Sequence, residues 1–193
     1  MTKAVFIDKD GTLIPDIPYN TDPELIRLND EAAPGLIKLQ NAGFLIIVIT
    51  NQSGIARGLF TERELEPVKS KIRMLLSGSG IQLSGFLYCP HHPDGKIKEF
   101  ALDCECRKPK PGLLLQAALK FNIDLRGSWM LGDILNDVEA GNRAGCKTVL
   151  IDNGGETEWQ IGDYREPKYI AANINQAADY ILKFGNERNL GGL

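Results

Sequence analysis

The 193-residue sequence has no apolar run approaching the roughly 18 residues that a membrane-spanning helix requires. It has no excess of positive charge. Its 22 Lys and Arg stand against 25 Asp and Glu, and a net charge of -3 leaves no electrostatic footprint for nucleic acid. No internal repeat and no low-complexity stretch interrupts it. The start runs straight into a strand pattern, so no signal peptide is expected. Cysteine is scarce, with four residues, and histidine scarcer, with two. So few thiols in a chain of cytoplasmic character point to metal binding before a disulfide framework.

What remains is an ordinary globular composition, 43% hydrophobic and 24% charged. The length suits a single domain over residues 1–193, able to bury a core without staples. Ala4 to Ile7 and Phe44 to Ile49 are continuous apolar runs, as in central parallel strands covered on both faces. Between them Pro34, Leu36, Ile37, Leu39 and Gly43 outline a helix. Further strands are expected at 86–88, 128–131 and 146–151. Helices are expected from 61 to 76, from 111, from 133 to 144 and from 174 to 182. Thr61 and Glu64 have capping-box spacing, whereas Pro67 leaves open whether that helix kinks or begins later. The stretch after Asn153-Gly154-Gly155 should wrap the sheet edge, and the tail 186–193 should fray. The implied fold is α/β: a doubly wound, mainly parallel, Rossmann-like sheet with helices on both faces.

Ligands bind at the carboxyl ends of the strands in such sheets. The first strand ends in Asp8-Lys9-Asp10-Gly11-Thr12. Residues i and i+2 of an extended chain point the same way, so Asp8 and Asp10 can face one pocket. Carboxylates so close repel unless a cation or a shared proton relieves them. Mg²⁺ favours carboxylate oxygens and water. One acid can then attack while the other shuttles a proton. Thr50 closes the second strand and can donate to a phosphoryl oxygen. Lys108 supplies a fixed positive charge. Asp133 completes a metal site, and Asp137, one helical turn later, can orient it. Nucleophile, proton shuttle, cation and metal are the parts of phosphoryl transfer. Each residue alone has a plain alternative, as a cap, a solvated lysine or a helix first turn. All four features, in order on alternating elements, favour an enzyme.

The insert 89–106 holds Cys89-Pro90-His91-His92 and Cys104-Glu105-Cys106. Two soft-ligand pairs about a dozen residues apart fit one tetrahedral Zn²⁺, held by Cys89, His91, Cys104 and Cys106. His92 is a spare that could replace His91 or face substrate. Four ligands leave no open position, so the zinc is expected to be structural. Cys106 adjoins Arg107-Lys108, and the metal would fix the loop that aims Lys108. Cys146 reads as ordinary packing.

The motifs Phe6-Ile7-Asp8-Lys9-Asp10-Gly11-Thr12, Val48-Ile49-Thr50-Asn51, Arg107-Lys108-Pro109 and Leu131-Gly132-Asp133-Ile134-Leu135-Asn136-Asp137 resemble the haloacid dehalogenase superfamily of phosphatases. The resemblance implies that Asp8 forms an aspartyl-phosphate and Asp10 transfers protons. It implies that Thr50 and Lys108 hold the phosphoryl oxygens, and that Asp8, Asp10 (through its carbonyl) and Asp133 hold Mg²⁺. The zinc loop narrows the resemblance to a branch shared by heptose bisphosphate phosphatases and histidinol-phosphate phosphatases. Residues 50–58, Thr-Asn-Gln-Ser-Gly-Ile-Ala-Arg-Gly, are more similar to the former.

That resemblance implies a phosphorylated sugar as substrate and Mg²⁺-dependent loss of its 7-phosphate, in the making of nucleotide-activated heptose. Neither nucleic acid nor membrane is a partner in this reading. Implied substrate contacts are Asp8, Lys9 and Asp10; Asp16, Ile17, Pro18 and Tyr19; Thr50, Asn51, Gln52 and Ser53; and Arg107 and Lys108. Arg107 would grip a sugar or distal phosphate with its guanidinium fork. Ile134 departs from the basic residue often found there in the family, and Arg57 could compensate. No large cap domain is expected; loops 14–30 and 51–62, with the zinc insert, should wall the pocket. A zinc-stabilised binding module is the non-enzyme alternative, but it should have lost Asp8, Asp10, Lys108 or Asp133. The oligomeric state stays open, a monomer included.

Overall fold

The first apolar run becomes strand β1 (Ala4–Ile7), whose four residues are all fully buried. The computed structural model describes residues 1–160 and 162–190, with side chains to residue 184. The other strands are β2 (Leu45–Asn51), β3 (Leu83–Cys89), β4 (Trp129–Gly132), β5 (Lys147–Ile151) and β6 (Tyr169–Ala171). They form one sheet in the order β3-β2-β1-β4-β5-β6, with every neighbouring pair parallel.

Alternation within β1 explains its unbroken hydrophobicity. Val5 and Ile7 join one core with Leu36, Leu65 and Ile181, whereas Ala4 and Phe6 join another with Leu113 and Leu114. Helices α1 (Ala32–Asn41), α2 (Glu62–Gly78) and α5 (Ile174–Leu190) thus cover one face. Helices α3 (Gly112–Phe121) and α4 (Leu135–Ala144) cover the other. Winding runs outward from β1 to β3, then restarts at β4 on the opposite side of β1. The switch point therefore lies between β1 and β4, where such sheets place ligands.

Thr61 caps α2 through a capping box, and α2 runs unbroken through Pro67. Burial of Leu65, Val68, Ile72 and Leu76 offsets the hydrogen bond that Pro67 cannot donate.

Three sequence expectations change. β6 is a strand where only a wrapping loop was expected. It has three residues, of which Ala171 alone is buried, so it carries no apolar run. α5 continues to Leu190, past 182 and into the tail expected to fray; Gly185 does not stop it, and the pair Gly191-Gly192 follows its end. Residues 191–193 of that tail lie outside the described residues. Cys89 is the last residue of β3, so the cysteine-rich insert is anchored in the sheet itself. Among the described residues no helix is long and apolar enough to cross a membrane.

Candidate active site

The Asp8 amide donates to the Leu131 carbonyl at 2.9 Å, carrying the β1–β4 ladder one step past the strands. That bond sets Asp8 at the switch point. Asp8, Asp133 and Asp137 each turn a carboxylate oxygen to within 4.8 Å of the others. Lys108 enters this cluster from the loop before α3. Its Nζ contacts Asp8 Oδ1, lies 2.5 Å from Asp137 Oδ1 and donates to the Ile49 carbonyl at 3.1 Å. All four side chains are buried.

Burial pushes the Asp8 carboxyl well above the usual carboxylate range; Lys108 opposes this, while Asp137, Asp10 and Asp133 add to it. Burial, together with Asp137, pushes Asp133 up to about 6 against the pull of the Thr12 hydroxyl. Burial alone would depress the Lys108 ammonium, but Asp137 and Asp8 outweigh it and raise it. Three buried acids around one cation call for further positive charge. Space for it is kept clear, since a Cβ on Gly11 or Gly155 would sit 2.1 or 2.2 Å from Asp133 Oδ2. The all-oxygen donor set suits Mg²⁺.

Asp10 stands beside this cluster, its carboxylate bracketed by two donors. Lys9 Nζ lies 2.8 Å from Oδ1, and Gln52 Nε2 donates to Oδ2 at 3.1 Å. Gln52 Nε2 also donates to Thr50 Oγ1 at 3.0 Å. Asn51 clasps the Lys108 backbone: its Nδ2 donates to the Lys108 carbonyl, and its Oδ1 accepts from the Lys108 amide, both at 3.1 Å.

A cavity of about 480 Å³ opens over these groups, lined by Asp8, Asp10, Thr50, Asn51, Lys108, Asp133 and Ile134. A neighbouring cavity of about 280 Å³ is lined by Lys9, Pro18, Tyr19, Gln52 and Ser53. Asp10, Asp16 and Asn51 line both. Burial and the nearby Asp10 raise the Asp16 carboxyl. Two expected contacts stand apart: Ile17 is exposed, and Arg107 donates to the His91 carbonyl at 3.4 Å while lining neither cavity. The zinc insert also lines neither. It folds back on the 52–58 loop, where the Lys96 and Ile97 amides donate to the Ala56 carbonyl at 2.7 and 2.9 Å.

Residues to which the sequence reading gave no individual role in the site complete the walls. Asn153 Nδ2 donates to the Gly11 carbonyl at 2.6 Å, and Asn29 Nδ2 donates to the Gly11 and Thr12 carbonyls at 3.2 and 2.9 Å. Glu156 Oε2 accepts from the Leu135 amide at 2.7 Å and so caps α4 from a distance. Asn153-Gly154-Gly155 follows the carboxyl end of β5, and that position was the available signal.

Cys89, His91, Cys104 and Cys106 converge in a second cluster. Their sulfurs are 3.1 to 3.4 Å apart, and His91 Nδ1 lies 3.3 Å from Cys106 Sγ. A tetrahedral centre with Zn–S bonds of about 2.3 Å needs edges only slightly longer, so the set fits Zn²⁺. A hydrogen bond to Cys89 and burial push the Cys106 thiol up. His92 points elsewhere, with Nε2 3.0 Å from Arg57 Nη2. Cys146 lies apart, its thiol pushed up to about 12 by burial.

A HAD-hydrolase-like family model matches residues 105–177. The D-glycero-beta-D-manno-heptose-1,7-bisphosphate 7-phosphatase of Pasteurella multocida (strain Pm70) is 44% identical, over 95% of this chain and 92% of its own. The protein of that name from Escherichia coli (strain K12) is 37% identical, over 93% and 87%. The crystal structure of a D,D-heptose 1,7-bisphosphate phosphatase from B. bronchiseptica, complexed with magnesium and phosphate, superposes with a TM-score of 0.76 at 27% identity, covering 94% of this chain and 98% of that one. With relatives this similar along nearly their whole length, the chain belongs to the D-glycero-beta-D-manno-heptose-1,7-bisphosphate 7-phosphatase family of HAD-like hydrolases.

Proposed function

We propose that this chain hydrolyses the 7-phosphate of D-glycero-β-D-manno-heptose 1,7-bisphosphate. The observation that carries this reading is the convergence of Asp8, Lys108 and Asp133 at the β1/β4 switch point, with Asp10 beside them. The relatives' names supply the substrate and its anomer.

Asp8 is the nucleophile. One of its oxygens bonds to phosphorus as the bond from phosphorus to the sugar oxygen breaks, and Asp10 gives that oxygen a proton. Water then attacks the aspartyl-phosphate, Asp10 takes the water's proton, and the Asp8–phosphorus bond breaks to free phosphate. Thr50 and Lys108 hold the phosphoryl oxygens. Asp8, the Asp10 carbonyl and Asp133 hold Mg²⁺, which when bound supplies the positive charge that keeps both carboxylates ionised and screens the phosphoryl group. Asp137 orients Lys108. Asp16, Pro18, Tyr19, Asn51 and Ser53 face the sugar from the two cavities, and Lys9 faces it beside Asp10. Cys89, His91, Cys104 and Cys106 hold a structural Zn²⁺. The whole chain acts as one phosphatase domain. Its four cysteines form no disulfide, which suits the reducing cytoplasm, where nucleotide-activated heptose is made.

Phosphate release with Mg²⁺ tests this against both heptose bisphosphate anomers and histidinol phosphate. A preference of a hundredfold or more for the β anomer, about 2.7 kcal/mol of differential transition-state binding, is expected. A preference for histidinol phosphate would overturn the substrate assignment. Asp8→Asn should abolish turnover in a folded protein; retained turnover would remove Asp8 as nucleophile.

A further inference from the structure

Gln52 occupies an unusual place. It is buried, and its backbone amide donates to the Cys89 carbonyl at 2.7 Å, which fastens it to the end of β3. Its side-chain nitrogen reaches two groups at once, Asp10 Oδ2 at 3.1 Å and Thr50 Oγ1 at 3.0 Å. Asp10, by contrast, sits on a loop with its side chain 30% exposed. A carboxylate there has torsional freedom that its neighbours must remove.

We propose that Gln52 is a positioning residue that holds the Asp10 carboxylate in register with Thr50 for proton transfer. The inference rests on the reading of Asp10 as proton carrier. Lys9 grips the other oxygen, but an ion pair weakens when Asp10 takes up a proton. A neutral amide donor does not depend on that charge, because the carbonyl oxygen of a protonated carboxyl still accepts. Gln52 can therefore hold Asp10 in both halves of the reaction. Small misplacement of a reacting group costs on the order of a hundredfold in rate.

The test uses two aryl phosphates of nearly the same shape, 4-nitrophenyl phosphate and phenyl phosphate. Nitrophenolate leaves without help; phenolate needs a proton. Phenol release in the first turnover is measured for the wild type, Gln52→Met and Asp10→Asn. Met fills the same space without a donor, and the backbone bond to Cys89 remains. The nitrophenyl-to-phenyl rate ratio should rise by about tenfold or more in Gln52→Met, and at least as far in Asp10→Asn. A merely structural role for Gln52, or a contact to the sugar, would leave that ratio unmoved. A ratio raised in Asp10→Asn but unchanged in Gln52→Met overturns this proposal alone. A ratio unchanged in Asp10→Asn overturns the proton-carrier reading and this proposal with it. If Gln52→Met fails to fold, Gln52→Glu, with an acceptor in place of the donor, is measured in the same way.

Discussion

Lys108 Nζ lies 2.5 Å from Asp137 Oδ1, and Asp137 has no solvent exposure. The lysine thus stands between two carboxylates, that of Asp8, the proposed nucleophile, and that of Asp137. Lys108 Nζ contacts both carboxylates, so Asp137 shares the ammonium with Asp8. Together with Asp8 it offsets burial and keeps the Lys108 ammonium protonated.

Removing that anchor should cost both stability and rate. Asp137→Ala leaves a buried ammonium with Asp8 as its remaining carboxylate partner, and truncating one side of a buried ion pair costs about 3 kcal/mol or more. Asp137→Asn keeps the shape and should cost less. In both variants Asp8 is left as the remaining carboxylate partner of Lys108, which is no longer held from its second side, so turnover should fall at least about tenfold. Urea unfolding and phosphate release check the two effects. A variant with wild-type turnover would show that Asp137 does not orient Lys108.

The Asp133 carboxyl, pushed up to about 6, makes metal-free stability fall with rising pH. The unfolded chain loses this proton near the ordinary carboxyl value of 3.8, the folded chain at about 6. Between those values the folded state binds more protons, so ionisation penalises folding, by on the order of 3 kcal/mol once pH exceeds 6. Mg²⁺ relieves that penalty. Its addition should therefore raise the melting temperature more at pH 7.5 than at pH 5. An equal rise at both would show that Asp133 is not a ligand.

How far the sequence foretold the site depends on how each residue is held. Asp8, Thr50 and Asp133 were legible because each lies at or just past the carboxyl end of a strand of one parallel sheet. Topology alone then brings them to one edge. The Lys108–Asp137 pair was not legible, since it depends on how the first turn of α4 meets a loop that is remote in sequence. The place of Arg107 was equally hidden, because a long flexible side chain chooses its partner from local acceptors, here the His91 carbonyl. β6 was missed because a short edge strand with two side chains left unburied has no hydrophobic period to read.

Gly155 tests the wall that sequence reasoning left as a loop. A Cβ there would lie 2.2 Å from Asp133 Oδ2, and its backbone is free of the positive φ that complicates Gly11. Gly155→Ala should therefore displace Asp133 without straining the chain. Mg²⁺ affinity, measured by calorimetry, should weaken by about tenfold or more, while zinc content is unchanged. Unaltered affinity would separate the 153–155 loop from the metal site.

The cluster of Cys89, His91, Cys104 and Cys106, as the proposed zinc site, should act on catalysis through two routes. Cys106 precedes Arg107-Lys108, and Cys89 accepts the Gln52 amide at 2.7 Å. Loss of the metal would thus loosen the cation on one side and the Asp10 clamp on the other. Cys104→Ala removes a cysteine that neither adjoins Arg107-Lys108 in sequence nor accepts the Gln52 amide. Zinc per chain should drop from one toward none, and turnover should fall with it, more through kcat than through KM. Cys146→Ala is the matched control: a buried thiol outside the cluster, whose loss should leave zinc bound. Elemental analysis with steady-state kinetics reads both. Full activity in zinc-free Cys104→Ala would show that the insert holds itself in place, and that the hydrogen bonds to the Ala56 carbonyl and from the Gln52 amide suffice without the metal.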